Sequence, residues 1–448
     1  MIIRIVAKNI YSFKEKTEFN LFPNRSIHLS HHKINRNDIS FLRLGAIYGA
    51  NGVGKSNLIK TVGLLVHMVA GGKVLQGADD LKFKLCETNK SIPSSIAIEF
   101  YAQGKIYYYT ISFDGTGVLY ERLAESCKKK KINIFERSFE DGHELINFRE
   151  GYTDDPENKL FVDILSDDLI KRNALLLYFL HKNYAADFAD TSVAYKWFTE
   201  TLVVMKAGDN DRPMAYLLDK KPVLLEFANK FIKSVDIGIT ALTVKKNEID
   251  ANDAKYSDLV AQLKEDPKAA AIFENKITDD VVTFVNEDGK IMAKRIISSH
   301  KNDKGEDVIF SFGSESDGIK RLVGFFPAID GVVNDDHVYL IDEIERSIHP
   351  MIIKELISKL SANKKMKGQF IFTTNESSLL DQDILRTDEI WLTQKDSDGG
   401  THLYSLSENN LHHKANIKNG YLNGRYGRIP FLSNLRDLHW DNEKPDKV

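Results

Sequence analysis

A chain of 448 residues with 42% apolar side chains is long enough for two or three domains with real cores, which excludes a small stapled scaffold. Its 61 basic and 64 acidic residues leave a net charge of −3, so no global field draws it to nucleic acid or to an anionic membrane. Cys86 and Cys127 belong to no C-x-x-C pair, which excludes zinc ribbons and zinc hooks and fits a reduced, intracellular compartment. The N-terminus alternates like a strand rather than a signal peptide, and no window approaches about 18 consecutive apolar residues, so a soluble cytoplasmic protein is the expectation.

In chain order, Ile2 to Phe22 reads as two strands, with Ile3, Ile5 and Ala7 on one face and Phe13, Phe19 and Leu21 on a later one, joined around Asn9 to Ser12. His31 and His32 fall in the polar link that follows and read as solvated loop residues. Leu42 to Tyr48 reads as a buried strand. Lys55 to Ala70 carries Leu58, Ile59, Val62, Leu65, Val66 and Val69 at helical spacing. Ile96 to Glu125 is an antiparallel meander broken at Gln103-Gly104 and at Asp114 to Gly117, in which Tyr107, Tyr108 and Tyr109 pack within strands. Lys128 to Lys131 reads as a solvated turn.

From Lys159 to Phe231 the pattern is helical, through Val193 to Met205 and Met214 to Phe231, and it is helical again near Tyr256 to Glu274. Ile239 to Lys245 alternates as a strand between them. The stretch is too short and interrupted for a long coiled-coil arm. Val281 to Val285 and Ile291 to Ile297 form a hairpin around Asn286 to Gly289, with Val308 to Phe312 as a third strand. His412 and His413 read as solvent-exposed.

Three motifs carry chemistry. Gly49 to Ser56, Gly-Ala-Asn-Gly-Val-Gly-Lys-Ser, satisfies G-x-x-x-x-G-K-[ST] at every fixed position, between a strand and a helix. Gly49, Asn51, Gly52, Gly54 and Asn57 would shape a loop whose N–H groups and helix N-terminus cradle phosphates. Lys55 would reach the β- and γ-phosphates, and the Ser56 hydroxyl would ligate Mg²⁺. Val338 to Glu343, Val-Tyr-Leu-Ile-Asp-Glu, is an apolar strand ending in two carboxylates. Asp342 would hold Mg²⁺, and Glu343 would polarise the attacking water as general base. Gly313 to Gly318 opens a helix through Leu322, Val323 and Phe325, again a helix N-terminus with free N–H groups.

Here the chain resembles the ABC-class ATPases, with Ser316 and Gly318 at the serine and glycine of their signature loop. Ser347-Ile348-His349-Pro350 resembles their D-loop, with Pro350 at the first turn of the next helix. Gln369 to Thr374 reads as a strand ending at Asn375, where that class normally has a switch histidine. Asparagine still hydrogen-bonds a phosphate or orients water but carries no charge, which implies slow or partner-dependent hydrolysis. Gln76 and Gln103 both remain candidates for the class's Mg²⁺-sensing glutamine.

With Asn423 to Pro430 added, the resemblance is to the overcoming-lysogenization-defect-like and SMC-like ABC ATPases. Within them it is to the AAA-family ATPases of bacterial abortive-infection and anti-phage systems of the AbiLii, PARIS AriA and Septu PtuA kinds. It covers roughly the first 125 and last 150 residues.

It implies an α/β, P-loop NTPase fold of ABC-ATPase type, a mixed sheet plus antiparallel meander, with a mainly helical inserted domain. The ATPase parts would be residues 1–150 and 281–448, and the insertion 151–280. The cofactors implied are ATP and Mg²⁺, in a composite site where one subunit's Lys55, Ser56, Asp342 and Glu343 face Ser316 and Gly318 of another copy. The partners implied are a homo-oligomer with nucleotide at its interface, a protein effector encoded nearby and a phage-protein trigger; DNA would need a local patch, and no membrane is involved. The function implied is an ATP-binding and ATP-hydrolysing scaffold or sensor of a phage-defence complex, with an SMC-like DNA-repair ATPase as the alternative. An ABC-transporter ATPase fits the large insertion least.

Overall fold

Alternating side chains shape the first 150 residues of the computed structural model, which describes all residues except 37–38, 128–129, 209–212, 236, 250–255, 267–269, 276–279, 410–415 and 427–448. Strands β1 (Ile2–Lys8) and β2 (Thr17–Asn20) pair antiparallel. β3 (Leu44–Tyr48) is buried at all five positions and leads through the glycine loop into helix α1 (Lys55–Gly71). After α1, β4 (Ser94–Ala102), β5 (Lys105–Asp114), β6 (Gly117–Ser126), β7 (Lys131–Glu140) and β8 (His143–Phe148) run as a meander. With β1 and β2 they form a seven-stranded sheet in the order β8-β7-β6-β5-β4-β1-β2. Gln103 and Gly104 both have positive φ, 46° and 85°, as a two-residue type I′ turn between right-twisted strands requires.

The meander runs two strands past Glu125. β7 turns Arg137 inward rather than an apolar residue, so its alternation does not read as a buried strand. Arg137 is 1% exposed, and its Nε and Nη2 fork onto Glu144 at 2.8 and 2.7 Å while Nη1 donates to the Ala174 carbonyl at 2.5 Å. Neighbouring Glu121 is fully buried and accepts from the Tyr109 hydroxyl and from the Leu176 and Leu177 N–H groups, which begin a helix. Burial pushes the Glu121 carboxyl above its usual range. The network joins the meander to the start of α3 (Leu176–Asn183), one of three helices here with α2 (Pro156–Ile164) and α4 (Ala189–Lys196). Arg137→Ala takes the guanidinium from buried Glu121 and leaves Glu144 only Arg172 at 4.0 Å, and is expected to cost about 3–5 kcal/mol, read as a lower denaturant midpoint in equilibrium unfolding. An unchanged midpoint would show that the network contributes nothing.

Two compact units make up the chain: Ile2–Glu200 with Ile371–Val448, and Met1 with Thr201–Phe370. The second unit opens on β9 (Leu202–Met205), where the periodicity predicts the end of a helix. A π turn at Trp197–Thr201 ends that helix, and Leu202–Met205 pairs parallel with Val338–Ile341, a partner far away in sequence. Helices α5 (Met214–Lys220) and α6 (Pro222–Val235) follow, then β10 (Ile239–Glu248), α7 (Ser257–Glu265), β11 (Ala270–Asn275), β12 (Asp280–Glu287), β13 (Lys290–Lys301) and β14 (Asp307–Ser311). The second half of the predicted Tyr256–Glu274 helix is thus strand β11, which gains its ladder from β12. The sheet order is β10-β13-β12-β11, with β14 also paired to β13. Val260 and Leu263 of α7 cover Phe284, Ile291 and Ala293 of this sheet. Helix α8 (Asp317–Gly324), a further helix over Phe326–Asn334, β15 (Val338–Ile341) and α9 (Pro350–Ala362) follow.

β16 (Gln369–Thr374), buried at every position, returns the chain to the first unit. There its residues Ile371–Thr374 lie beside β3, followed in the sheet by β17 (Ile390–Lys395), parallel to β3, and by antiparallel β18 (Thr401–Ser405). Helix α10 (Ile417–Leu422) is the last described element. The sheet is mixed, and its central strands are continuous apolar runs, as strands covered on both faces must be.

His32 departs from its expected solvated loop. The backbone at Ser30–His32 is a 3₁₀ turn rather than extended, and it carries His32 inward to 2% exposure, with Nδ1 2.9 and 3.0 Å from the two carboxylate oxygens of buried Glu389. Burial pushes the Glu389 carboxyl up, although His32 and the Arg386 N–H oppose this. Lys128, Lys129, His412 and His413 lie outside the described residues. No helix among the described residues is long and apolar enough to cross a membrane.

Candidate functional site

In the first unit, β3 ends at Tyr48 and α1 starts at Lys55, and the loop between them turns through positive φ at Gly52 and Gly54. Lys55, 5% exposed, points its ammonium back into the loop. Its Nζ donates to the carbonyls of Gly49 at 2.6 Å and Ala50 at 2.9 Å, and to Asn375 Oδ1 at 2.6 Å. Asn375 stands exposed at the end of β16 and donates from Nδ2 to Asn51 Oδ1 at 2.8 Å. Asn375, far away in sequence, therefore converges with Lys55 and Asn51 on one corner of the loop. Ser56 and Asn57 follow on the first turn of α1, where the positive end of the helix favours an anion; the Asn57 N–H donates to the Gly54 carbonyl at 3.0 Å.

Sequence reading misses the clasp beneath this loop. Asn57 Nδ2 donates to Ser12 Oγ at 2.7 Å, and the Thr401 hydroxyl lies 2.7 Å from Ser12 Oγ and 2.8 Å from the Val53 carbonyl. The Thr401 N–H also donates to the Ser12 carbonyl. Ser12 lies in the joint after β1 and Thr401 starts β18, so only the folded sheet brings them together. Gly54 sits against both hydroxyls at φ 107°, and a Cβ there would collide with Thr401 and Ser12. Gly54→Ala is therefore expected to store about 1–3 kcal/mol of strain in the loop. It should weaken ATP retention about tenfold or more in a filter-binding assay, and wild-type retention would contradict the clasp.

The second unit holds the other predicted residues. β15 ends at Ile341, and Asp342, 5% exposed, follows with its N–H donating to the Met205 carbonyl at 2.8 Å. Glu343 follows in the left-handed region at φ 47°, which reverses the chain directly after the strand. Ser316 caps helix α8, its hydroxyl accepting from the Ile319 N–H at 3.4 Å, so the predicted helix start is where the glycine-serine motif requires it. Gly318 packs so closely on the Ser347 carbonyl that a Cβ would not fit, which joins the signature motif to the D-loop-like turn. His349 caps α9 through the Met351 N–H, with Pro350 at its first turn.

Arg321, one turn further along α8, had no sequence signal. Its Nη2 donates to the carbonyls of Asp342 and Glu343, both at 2.9 Å, and so holds the turn that carries the two carboxylates. Desolvation, helped by nearby Arg346, pulls the guanidinium below its usual range while Glu343 and Asp342 oppose the shift.

A family model described as "AAA domain, putative AbiEii toxin, Type IV TA system" matches residues 45–381, well over half of the chain. The chain belongs to that family. Its glycine loop, signature-like helix start and Asp342-Glu343 strand all fall inside the matched region. The fold is accordingly that of an α/β P-loop NTPase of ABC type, a mixed sheet accompanied by an antiparallel meander. No curated protein matches this AAA-family chain in sequence.

Solved structures similar to it include an SMC head bound to the C-winged helix domain of ScpA, 13% identical over 91% of this chain and 98% of that one, with a TM-score of 0.41. The SMC head domain from Thermotoga maritima is 12% identical over 90% and 98%, with a TM-score of 0.39. An Smc head with an extended coiled coil, bound to the C-terminal domain of ScpA derived from Pyrococcus furiosus, is 13% identical over 91% and 97%, with a TM-score of 0.42.

Proposed function

We propose that this chain binds and hydrolyses ATP with Mg²⁺ as the scaffold or sensor subunit of a cytoplasmic phage-defence complex, changing assembly state with nucleotide to restrain or release a protein effector. The observation that carries the ATP reading is the convergence of Lys55, Asn51 and Asn375 at the N-terminus of α1, a cation and two amides at the one point where a helix start favours phosphate. The Ser56 hydroxyl and the Asp342 carboxylate are each hard oxygens of the kind Mg²⁺ takes beside substrate phosphates.

In this reading Lys55 binds the β- and γ-phosphates and Ser56 and Asp342 hold Mg²⁺, which when bound neutralises charge developing on the phosphates. Glu343 accepts a proton from the attacking water, and Asn375 turns its Nδ2 from Asn51 to donate to the phosphate, or accepts from that water through Oδ1. Ser316 and Gly318 of a second copy close the site, so ATP favours the closed assembly and hydrolysis releases it.

The test is to express the protein with its native neighbouring genes, purify it through a tag, and identify and weigh what co-elutes with and without Mg-ATP. A stoichiometric partner retained or released according to nucleotide supports the defence-complex reading. A chain that elutes alone and whose ATPase rises only with DNA would replace it by the DNA-repair alternative.

A further inference from the structure

A cavity of about 230 Å³ lies wholly within the second unit, between the sheet and helix α8. Its apolar side is formed by Met205, Met214, Ile296 and Phe325. Lys320 and Arg321 line it together with the carboxylates Asp317, Glu274 and Asp280; Lys320 pairs with Asp317 at 3.1 Å, Asp280 accepts from the Ser311 hydroxyl and has no cation beside it among the described residues, and Glu274 is exposed. Thr283, 1% exposed, also lines it, and its hydroxyl makes no hydrogen bond to another described residue. Arg321 spends Nη2 on the Asp342 and Glu343 carbonyls, and its other guanidinium nitrogens have no hydrogen-bond partner among the described residues, Nε being fully shielded from water.

A half-buried guanidinium with unused donors is costly unless an acceptor reaches it, and the Asp280 carboxylate across the same cavity has only a neutral hydroxyl as partner, so a cation placed there would be favoured. Small-ligand sites combine an apolar wall with a few polar groups in this way.

We propose that this cavity is a regulatory site for a compact zwitterion of apolar amino-acid type. Its carboxylate pairs with Arg321 and Lys320, its ammonium with Asp280 and Glu274, and its side chain rests on Met205, Met214, Ile296 and Phe325. The volume suits a ligand of that size. Two of the lining residues are the anchors of the catalytic turn: Met205 accepts from the Asp342 N–H, and Arg321 donates to the Asp342 and Glu343 carbonyls. A carboxylate on Arg321 draws the guanidinium toward the cavity and shifts the backbone that aims Glu343. The effect on turnover rests on the ATPase reading above, whereas binding itself does not.

Isothermal titration of the full-length protein without nucleotide, using L-leucine, L-methionine and L-phenylalanine, tests the proposal. Saturable one-to-one binding is expected for at least one of them. Its des-amino and des-carboxy analogues should each bind about tenfold more weakly or worse, the loss expected for one hydrogen bond to a charged group. Met214→Trp, which fills the cavity, should abolish binding, and Asp280→Asn should weaken it while thermal unfolding confirms that both variants are folded. Absence of saturable binding by any of the twenty amino acids, equal binding of an analogue lacking either charge, or wild-type binding by folded Met214→Trp would each overturn the proposal. If binding is found but ATP turnover is absent, the site stands and the ATPase reading fails.

Discussion

Lys55→Ala is expected to bind ATP at least about a hundredfold more weakly than the wild type, the loss of two charge-assisted hydrogen bonds at about 1.5–3 kcal/mol each. Lys55 has three ammonium donors, and the carbonyls of Gly49 and Ala50 and the side chain of Asn375 each take a hydrogen bond from its Nζ. An incoming phosphate has to displace at least one of them. Asn375 is the exposed one, so the loop opens there first, and the Asn375–Asn51 bond loosens with it. The same substitution leaves three oxygens without this donor, so thermal unfolding without nucleotide belongs beside the binding measurement. Lost binding with an unchanged unfolding temperature isolates the phosphate contact. Equal ATP retention in wild type and variant would sink the phosphate-loop assignment.

Glu343→Gln should leave ATP binding intact and lower kcat about 10²–10⁴-fold, the range for a lost general base. Glutamine matches glutamate in shape and has no greater difficulty at φ 47°, and neither the bonds that Arg321 Nη2 donates to the turn's carbonyls nor the one that the Asp342 N–H donates to Met205 involves the carboxylate, so the turn is expected to keep its backbone. With hydrolysis blocked, the ATP-closed assembly should persist, seen as a larger species in size-exclusion chromatography with Mg-ATP that wild type shows only transiently. The double variant Lys55→Ala/Glu343→Gln should lose that species. Undiminished turnover in Glu343→Gln would remove the residue from the chemistry and leave the closed assembly unexplained.

Much of this protein is written locally. Gly49 to Ser56, the apolar strand before it and the 3.6-residue stripe after it need no distant partner to be recognised, because glycine torsions, helix periodicity and the ammonium at the first helical turn are properties of neighbouring residues. The meander was legible for the same reason as far as Glu125, and so were the capped start at Ser316, the Pro350 helix and strand β16. Reading failed wherever a residue's state depended on a partner far along the chain. Leu202–Met205 is a strand only because Val338–Ile341 supplies its ladder, and β11 exists only beside β12. β7 was hidden because its inward position holds Arg137, whose charge is neutralised by Glu144 rather than avoided. His32 looked like a solvated loop residue until Glu389, from the last quarter of the chain, met it in the core.

The same division runs through the candidate site. Which residues are candidates for the phosphate, metal and water roles follows from sequence, since the chemistry of a lysine, a serine and two carboxylates is intrinsic to them. Tertiary structure decided what holds them: Ser12 and Thr401 under the glycine loop, Asn375 on Lys55, and Arg321 on the Asp342-Glu343 turn. Those contacts are hydrogen bonds between groups with no periodicity and no fixed spacing, so nothing in the order of residues announces them, and only the closing of the sheets brings donor to acceptor.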